Sequence, residues 1–204
     1  MQFINQKEEA PFAFYKERFT AADPAEISAR LGLPFENGGF SVTLLGTTYR
    51  ISHPDCVFTA DREDALGVTS LTVQVLLLRL LLLGKPAPET EDFKSFSELP
   101  WGEVYQKPFS GRILNRAAFT FGTRLDDFRR AAEKLGGKPI SQGDAAYEFR
   151  FTENYRLRLI LWEADDEFPP SAQLLYSANF PLGFSADDRV IAAETLLNSL
   201  KRLI

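Results

Sequence analysis

The strongest constraint on the fold lies between residues 145 and 162, where large apolar residues recur at every second position. This is the period of a β-strand with one buried face, because successive side chains of a strand point to opposite faces. The apolar positions are Tyr147, Phe149 and Phe151 in the first half and Tyr155, Leu157, Leu159 and Leu161 in the second. The pattern predicts an antiparallel hairpin that presents an apolar face to a core.

The loop between the two strands decides which residues face each other. A two-residue loop at Glu153–Asn154 would place Phe151 opposite Arg156, which mixes aromatic and charged side chains on one face. A three-residue loop from Thr152 to Asn154 pairs Phe151 with Tyr155 instead. Since each buried large apolar side chain contributes roughly 1.5–3 kcal/mol, we predict the three-residue loop, with Asn154 in the left-handed conformation. The same register pairs Phe149 with Leu157 and Tyr147 with Leu159.

The opposite face of this hairpin carries charged residues, namely Glu148, Arg150, Arg156 and Arg158. In the predicted register Arg150 faces Arg156, and like charges directly opposite each other are unfavourable. We therefore expect that either solvent screens the two guanidinium groups or an anionic group lies between them.

A further arginine, Arg112, directly follows Gly111. Glycine allows a close backbone approach, and an arginine can clamp a carboxylate or phosphate with two parallel hydrogen bonds. The glycine-rich patterns of phosphate and dinucleotide loops are absent. We predict a pocket for a small anionic ligand between the sheet and residues 93–121, using Arg112, Arg150, Arg156, Arg158 and Trp162.

Four carboxylates stand within five positions after the second strand: Glu163, Asp165, Asp166 and Glu167. Clustered oxygens bind hard cations such as Ca²⁺ or Mg²⁺, so these residues are a candidate metal site. Their spacing does not match an EF-hand loop. The alternative is an exposed acidic turn closed by Pro169 and Pro170, whose acids cap backbone N–H groups or pair with an arginine such as Arg112.

His53 and Cys56 are the only histidine and the only cysteine in the chain. Three positions apart, they could supply two metal ligands, or a nucleophile with its base. The alternative is a turn with a buried, inert thiol, which is the usual state of a free cysteine. A chain with one cysteine forms no internal disulfide, and by itself builds no iron–sulfur cluster or zinc ribbon.

The rest of the chain predicts helices near residues 5–19, 70–83, 124–135 and 186–202, and a second hairpin near residues 40–52 with a turn at Gly46–Thr47. Capping-box spacing occurs at Thr123 with Asp126 and at Ser185 with Asp188. Proline disrupts helix interiors, so Pro100 and Pro108 should break residues 93–121 into short helices.

These elements predict an α+β fold with a mostly antiparallel sheet. We expect a single domain over residues 1–204, because neither side of residues 85–91 (KPAPETE) makes a convincing core alone. That Pro-rich, polar stretch is the best linker candidate but is not taken as a domain boundary.

The charge balance and the apolar runs limit the partners. The formal net charge is −5, whereas nonspecific nucleic-acid binding requires Lys and Arg to neutralise phosphates. The apolar run Leu71–Leu83 is shorter than the ~20 residues of a membrane span and contains Gln74 and Arg79, so we predict a buried helix. The first residues lack the apolar region of a signal peptide. We expect a cytoplasmic protein that binds neither nucleic acid nor membrane.

Four blocks of the chain have a distinctive composition: residues 93–112, 142–146, 159–181 and 184–188. The most specific is WEADDEFPP, which begins at Trp162. Together the blocks resemble the prokaryotic family known as domain of unknown function 3786, over most of the chain and weakly before Phe40. The family pattern in the specific block reads Trp-Glu-Gly-Asp-x-Glu-Phe-Pro-Pro, so Ala164 stands here in place of the glycine.

The resemblance implies no established activity and no catalytic residues to carry over. Some family members resemble fusions to a small four-cysteine iron–sulfur domain of the type seen in corrinoid proteins, in a largely anaerobic setting. For this chain the resemblance therefore implies a redox or corrinoid protein as a candidate partner.

Three functional hypotheses follow from the residues and the resemblance. The first is a non-catalytic binding module for a small anionic ligand or cofactor in anaerobic metabolism. The second is a protein-interaction domain that docks on an iron–sulfur or corrinoid partner. The third is a divalent-metal-dependent enzyme that uses the carboxylates at 163–167. The identity of a cofactor and the catalytic residues of such an enzyme stay unknown at this level.

Overall fold

The structure is a computed structural model that describes residues 7–63 and 65–204. Helices and antiparallel sheets together make up an α+β fold, as predicted. The chain forms two compact units, and we refer to them as the first and the second unit. The first runs to Pro86 and includes Leu182–Phe184; the second comprises Ala87–Pro181 and Ser185–Ile204. The division falls inside the predicted linker, and the expectation of a single domain stays a prediction.

The first unit combines helices with an antiparallel sheet whose strand order is β1-β2-β3-β4. Its elements are α1 (Glu9–Ala21), α2 (Pro24–Leu31), β1 (Phe35–Glu36), β2 (Gly39–Leu44), β3 (Thr47–Ser52), β4 (Phe58–Ala60), α3 (Leu66–Thr69) and α4 (Leu71–Leu83). The predicted helix near 5–19 corresponds to α1, and residues 5–6 of that prediction lie outside the described residues.

Helix α4 is the buried helix predicted from the run of leucines. It begins after Ser70, whose side chain accepts a hydrogen bond from the Val73 N–H at 3.4 Å, and ends before Gly84. Eight of its thirteen residues are buried, and a helix that is apolar over most of its surface is typically packed by neighbours. Within the described ranges, no helix is long and apolar enough to cross a membrane.

The hairpin of the first unit is confirmed, but its turn lies one residue earlier than predicted. Leu44 pairs with Thr47, so the turn residues are Leu45 and Gly46. Both have positive φ, 48° and 75°, which is the requirement of the two-residue turn that matches strand twist. The predicted turn at Gly46–Thr47 was wrong, because glycine occupies the second of the two turn positions and not the first. The observed register pairs Phe40 with Ile51, both fully buried.

The second unit is built on an antiparallel sheet with the strand order β5-β9-β8-β7-β6. Its elements are β5 (Phe93–Ser95), α5 (Gly102–Phe109), a π-helical segment (Ser110–Asn115), α6 (Arg116–Phe121), α7 (Leu125–Lys134), β6 (Lys138–Pro139), β7 (Ala145–Thr152), β8 (Tyr155–Trp162), β9 (Ser171–Ser177) and α9 (Ala186–Lys201). A short helix, α8 (Phe180–Gly183), lies at the junction of the two units in sequence.

The register of the β7–β8 hairpin is confirmed along most of its length. Phe149 pairs with Leu157 and Tyr147 with Leu159, and all four side chains are buried. The tip differs from the prediction: Thr152 pairs with Tyr155 after a register shift that follows Arg150.

The tip is therefore a two-residue turn with a bulge instead of a three-residue loop. Glu153, with φ of 36°, takes the positive-φ position that was predicted for Asn154. A bulge adds one residue to a strand and turns its neighbours toward the same side. Phe151 accordingly remains buried, with its ring 5.7 Å from that of Phe180.

The helical run from Gly102 to Phe121 is continuous, so the prediction of a break at Pro108 was wrong. Pro108 occupies the last turn of α5, where it removes a single backbone hydrogen bond, and the π-helical segment follows directly. Phe96 stacks on Phe109 with ring centroids 4.1 Å apart, and this pair contacts Tyr176 of β9. These contacts hold the run against the apolar face of the sheet.

The two predicted capping boxes have different outcomes. Ser185 accepts a hydrogen bond from the Asp188 N–H, and Asp188 accepts one from the Ser185 N–H, so the box at the start of α9 is confirmed. The box at Thr123 is wrong, because α7 begins one residue later, after Arg124, without a side-chain cap. Asp126 pairs instead with Arg129, one turn along the helix, at 2.8 Å.

Gly102 is required by the close approach of α5 to the preceding loop. A Cβ atom at this position would lie 1.7 Å from the Phe96 carbonyl oxygen, whereas one at Gly111 would meet nothing within 4 Å. We therefore expect Gly102→Ala to lower the free energy of unfolding by about 3 kcal/mol or more, as measured by urea denaturation.

The matched control is Gly111→Ala, which should be neutral or raise the free energy of unfolding by up to about 1 kcal/mol, since alanine favours helix over glycine. Equal effects of the two substitutions would contradict the packing described for α5.

Candidate arginine-face site

The predicted charged face of the β7–β8 hairpin is present in the second unit. Arg150 lies directly opposite Arg156, as predicted, with Glu148 and Arg158 beside them. We call Glu148, Arg150, Arg156, Arg158 and the neighbouring Phe93 the arginine face. The other side of the sheet is the apolar one, where Tyr147 and Tyr176 contact the rings of Phe128 in α7 and Phe109 in α5.

The anionic groups between the arginines are carboxylates of the chain itself. Arg156 Nη1 donates to Glu148 Oε1 at 2.9 Å, and Arg156 Nη2 donates to Glu91 Oε1 at 2.8 Å. The second Glu148 oxygen accepts from Arg158 Nε at 2.8 Å. Solvent screening alone is therefore not what separates the opposed arginines.

Residues 87–92, which we call the strap, cross the arginine face. Three side chains of the sheet and its edge hold the strap backbone. Asn154 Nδ2 donates to the Ala87 carbonyl at 2.6 Å, Asn179 Nδ2 donates to the Pro88 carbonyl at 2.8 Å, and Arg156 donates to the Thr90 carbonyl. The stretch predicted as a linker is thus pinned across a sheet by side-chain hydrogen bonds.

Sequence reasoning missed the two strap carboxylates, Glu89 and Glu91. The side chain of Glu89 is 51% exposed, and that of Glu91 is 79% exposed. The signal that could have found them is charge balance. Two opposed arginines require counter-ions, and the segment KPAPETE, shortly before β5, carries two glutamates. The distance of more than sixty residues in sequence concealed this partnership.

Arg156 is the buried centre of the arginine face. It is only 8% exposed, and burial alone would lower its pKa, but hydrogen bonds to Glu91 and Glu148 together with their charges raise it. The same hydrogen bond lowers the pKa of Glu91. Within the described ranges, Arg156 Nε has no hydrogen-bond partner, and the carboxylate of Glu89 lies 3.8 Å from it.

Arg150 and Arg158 differ in how tightly they are held. Arg158 stacks on Phe93, with its guanidinium carbon 3.6 Å from the ring centroid, a cation–π contact. Arg150 is 64% exposed, and its guanidinium lies 3.9 Å from Glu89, too far for a hydrogen bond. Arg150 is therefore the arginine of this face most open to an added ligand.

Two predicted ligand residues lie apart from the arginine face. Arg112, in the π-helical segment, makes a two-pronged pair with Glu194 of α9 at 2.5 and 3.0 Å. That pair, with a hydrogen bond to Tyr105, raises the pKa of Arg112. Trp162 ends β8 four residues beyond Arg158, about 13 Å along a strand, and is 36% exposed.

The acidic run after β8 forms a loop that joins β8 to β9. Asp165 Oδ1 accepts from the N–H groups of Glu167 and Phe168 at 2.9 and 2.7 Å, which is the capping role weighed as the alternative. The Glu163 N–H is capped in turn by Asp144 at 2.8 Å. Across residues 7–63 and 65–204, no three His, Cys, Asp or Glu side chains are grouped so as to hold a metal ion.

The candidate metal set of Glu163, Asp165, Asp166 and Glu167 thus stays a prediction that the local geometry does not favour. Glu163 instead borders a polar cleft of about 640 Å³ at the start of α7, together with Arg124, Asp126, Asp127, Arg129 and Asp144. Arg129 closes one side of this cleft by donating to Asp126 and to the Asp144 carbonyl, both at 2.8 Å. The ion pair between Arg129 and Asp126 is therefore part of the lining of this cleft.

His53 and Cys56, in the first unit, form part of a packed turn. The His53 ring makes a hydrogen bond of 3.1 Å with the Ala22 carbonyl and lies edge-on to Phe19. Cys56 is 4% exposed, and burial raises the pKa of its thiol to about 11. Nucleophilic attack and metal binding both use the thiolate, which burial disfavours here, and this favours the buried-turn interpretation.

The ion pairs of the arginine face predict unequal mutational effects. Arg156→Met removes one of the two arginine partners of the 13%-exposed Glu148, the other being Arg158, and the loss of such a buried pair costs up to about 3–5 kcal/mol. Arg150→Met, on the same face, removes a single exposed ion pair worth ~0–1 kcal/mol. Urea denaturation followed by circular dichroism should separate the two variants by more than about 2 kcal/mol, and similar losses would contradict the burial described for Arg156.

The buried thiol predicts a pH dependence of stability. The pKa of Cys56 rises from 9.0 in the unfolded chain to about 11 in the folded one, so in this window only the unfolded state releases the proton. The free energy of unfolding should therefore fall as pH rises from 9 toward 11, with the full contribution present below 9. Cys56→Ala should show a shallower fall in the same window, and identical pH profiles for the two proteins would refute the assignment.

The comparison with protein families agrees with the sequence resemblance. A search of curated proteins and a search of solved structures each found no significant match. The family model described as domain of unknown function (DUF3786) matches residues 23–199, which include nearly all of the second unit and the whole arginine face. The chain belongs to the DUF3786 family.

Proposed function

We propose that the second unit is a non-catalytic binding module for a small anionic ligand, and that the ligand binds at the arginine face. The observation that carries the proposal is the convergence of Arg150, Arg156 and Arg158 on one sheet face, with a hydrogen-bond donor, Arg156 Nε, left without a partner among the described residues. Three guanidinium groups in one place are suited to carboxylate or phosphate oxygens.

The proposed ligand replaces the strap carboxylates. Glu89 and Glu91 are more than half exposed, so the carboxylate side of their pairs with Arg150 and Arg156 is open to solvent. Exposed ion pairs contribute only ~0–1 kcal/mol each. A ligand with two closely spaced anionic groups would compete with them on favourable terms, because it also makes a hydrogen bond with Arg156 Nε, which has none to Glu89 at 3.8 Å, and contacts the exposed Arg150.

Aromatic packing supports the same site. Phe93 lies beneath Arg158 and 5.4 Å from the guanidinium carbon of Arg156, so its ring fixes the plane of one donor group and borders the other. Donors whose orientation is already fixed lose less entropy when they bind a ligand. Glu148 supplies the remaining charge balance from within the sheet and stays in place in this proposal.

The proposal is tested by calorimetric titration with pyrophosphate and citrate at low and high ionic strength. We expect wild-type binding that weakens with salt. The double substitution Glu89→Gln and Glu91→Gln should strengthen it about two- to fivefold, because it removes competitors worth up to ~1 kcal/mol. Arg150→Met should weaken it.

The matched control is Arg130→Met on α7, since Arg130 has nearly the same exposure as Arg150, 65% against 64%. This control should bind like the wild type. Absence of binding in both the wild type and the double glutamine variant would overturn the proposal and leave the arginine face as a structural ion-pair network.

Two other hypotheses have less support. Docking on an iron–sulfur or corrinoid partner rests on the family resemblance, and the described residues include no feature that selects such a partner. A metal-dependent enzyme would need the acids at 163–167 to converge, whereas Asp165 caps its own loop. The anaerobic setting and the cytoplasmic location stay predictions.

A further inference from the structure

An exposed apolar pair stands at the start of α5, away from the arginine face. Trp101 is 80% exposed and Val104, three residues on, is 82% exposed. Trp101 is the residue before the first turn of α5, and Val104 lies within that turn. With Leu99 and Pro100 they line a groove of about 430 Å³, which we call the Trp101 groove.

The indole is held in a fixed and unfavourable backbone position. Trp101 has φ of 65° and ψ of 3°, the left-handed region that bulky residues avoid. Gly102 locks it from one side, since its N–H donates to the Leu99 carbonyl at 2.9 Å and its Cα lies against the Phe96 carbonyl. Strain of this kind persists only where the surroundings enforce it, and it concentrates at functional positions.

A buried arginine also holds the backbone next to Trp101. Arg189 of α9 is 1% exposed, and its Nη2 donates to the carbonyl of Pro100, the residue before Trp101. Within the described ranges its Nε has no hydrogen-bond partner, and burial lowers its pKa. Burial of the charged Arg189 side chain costs free energy. That buried side chain nevertheless fixes a loop whose next residue, Trp101, faces solvent.

The charge of the groove is acidic. Among the described residues that line it, Glu98 and Glu103 are charged and none is Lys or Arg. Hydrogen bonds from the side chain and backbone of Ser95 lower the pKa of Glu98. The face of an indole also attracts cations, above all guanidinium and ammonium groups.

We propose that the Trp101 groove is a docking site for a basic segment of a partner protein. An arginine or lysine side chain of that segment stacks on the Trp101 indole, its charge lies near Glu98 and Glu103, and an adjacent apolar side chain covers Val104. Rigid, exposed tryptophan with a charged rim is typical of the centre of a protein interface. This inference is independent of the anion site proposed above.

The first test uses Trp101 as its own reporter. The chain has two tryptophans, so Trp162→Phe leaves Trp101 as the only source of indole fluorescence. We expect a capped peptide of alternating arginine and leucine to shift the Trp101 emission in a saturable way that weakens with salt. The same peptide with glutamate in place of arginine should have no effect, and failure of the arginine peptide to cause a saturable shift overturns the proposal.

A pair of matched variants separates the local charge from the net charge. Glu103→Gln should weaken peptide binding several-fold, whereas Glu167→Gln, which removes the same charge from the loop between β8 and β9, should not. Equal binding by the two variants overturns the acidic-rim argument. Tighter binding of free arginine amide than of the peptide would identify a site for small organic cations and overturn the protein partner.

The variant Trp101→Gly separates an effect on peptide binding from an effect on stability. Glycine adopts positive φ without strain, so this variant should melt at the same or a higher temperature than the wild type while it loses peptide binding in calorimetry. A lower melting temperature would show that the indole stabilises the fold. Retained peptide binding would show that the indole takes no part in docking.

Discussion

The second unit depends on one constraint, the pairing of the apolar residues of β7 with those of β8. Phe149 with Leu157 and Tyr147 with Leu159 place four large side chains in the core, and a slip of one residue would send them all to solvent. The same register obliges Arg150 to face Arg156 on the other side of the sheet. The register thereby creates a positively charged face, and the two carboxylates of the strap, Glu89 and Glu91, balance its charge.

Periodic and local signals were sufficient for much of this architecture. The alternation in β7 and β8 predicted both strands and their register, since burial depends only on which side chains share a face. The Ser185–Asp188 box predicted the start of α9, because both partners of the cap lie within one turn. Helix α4 was predicted from its composition, as thirteen residues with few polar groups suit a buried helix.

The predictions failed where two local backbone conformations have nearly equal energy, or where residues distant in sequence determine the contact. The turn at Leu45–Gly46 and the positive-φ residue Glu153 each lie one position earlier than predicted, because backbone conformation at a hairpin tip is set by single φ values. Pro108 stayed within a helix because packing of Phe109 outweighs one lost hydrogen bond. At the site, the three hairpin arginines were predicted, but Arg112 pairs with Glu194 and the partners Glu89 and Glu91 come from more than sixty residues away.

Under the proposed function, charge balance at the arginine face requires that an anionic ligand bind by exchange with carboxylates of the chain. Arg150, Arg156 and Arg158 are balanced by Glu148 and by the two strap carboxylates, Glu89 and Glu91, so the arginine face together with the strap is neutral. An anion added to a neutral face would meet carboxylates as well as guanidinium groups. Because Glu148 is largely buried whereas Glu89 and Glu91 are exposed, the two strap carboxylates are the ones that can leave. A ligand with charge close to −2 would restore the balance, which is why closely spaced phosphates or carboxylates fit this face better than a single anion.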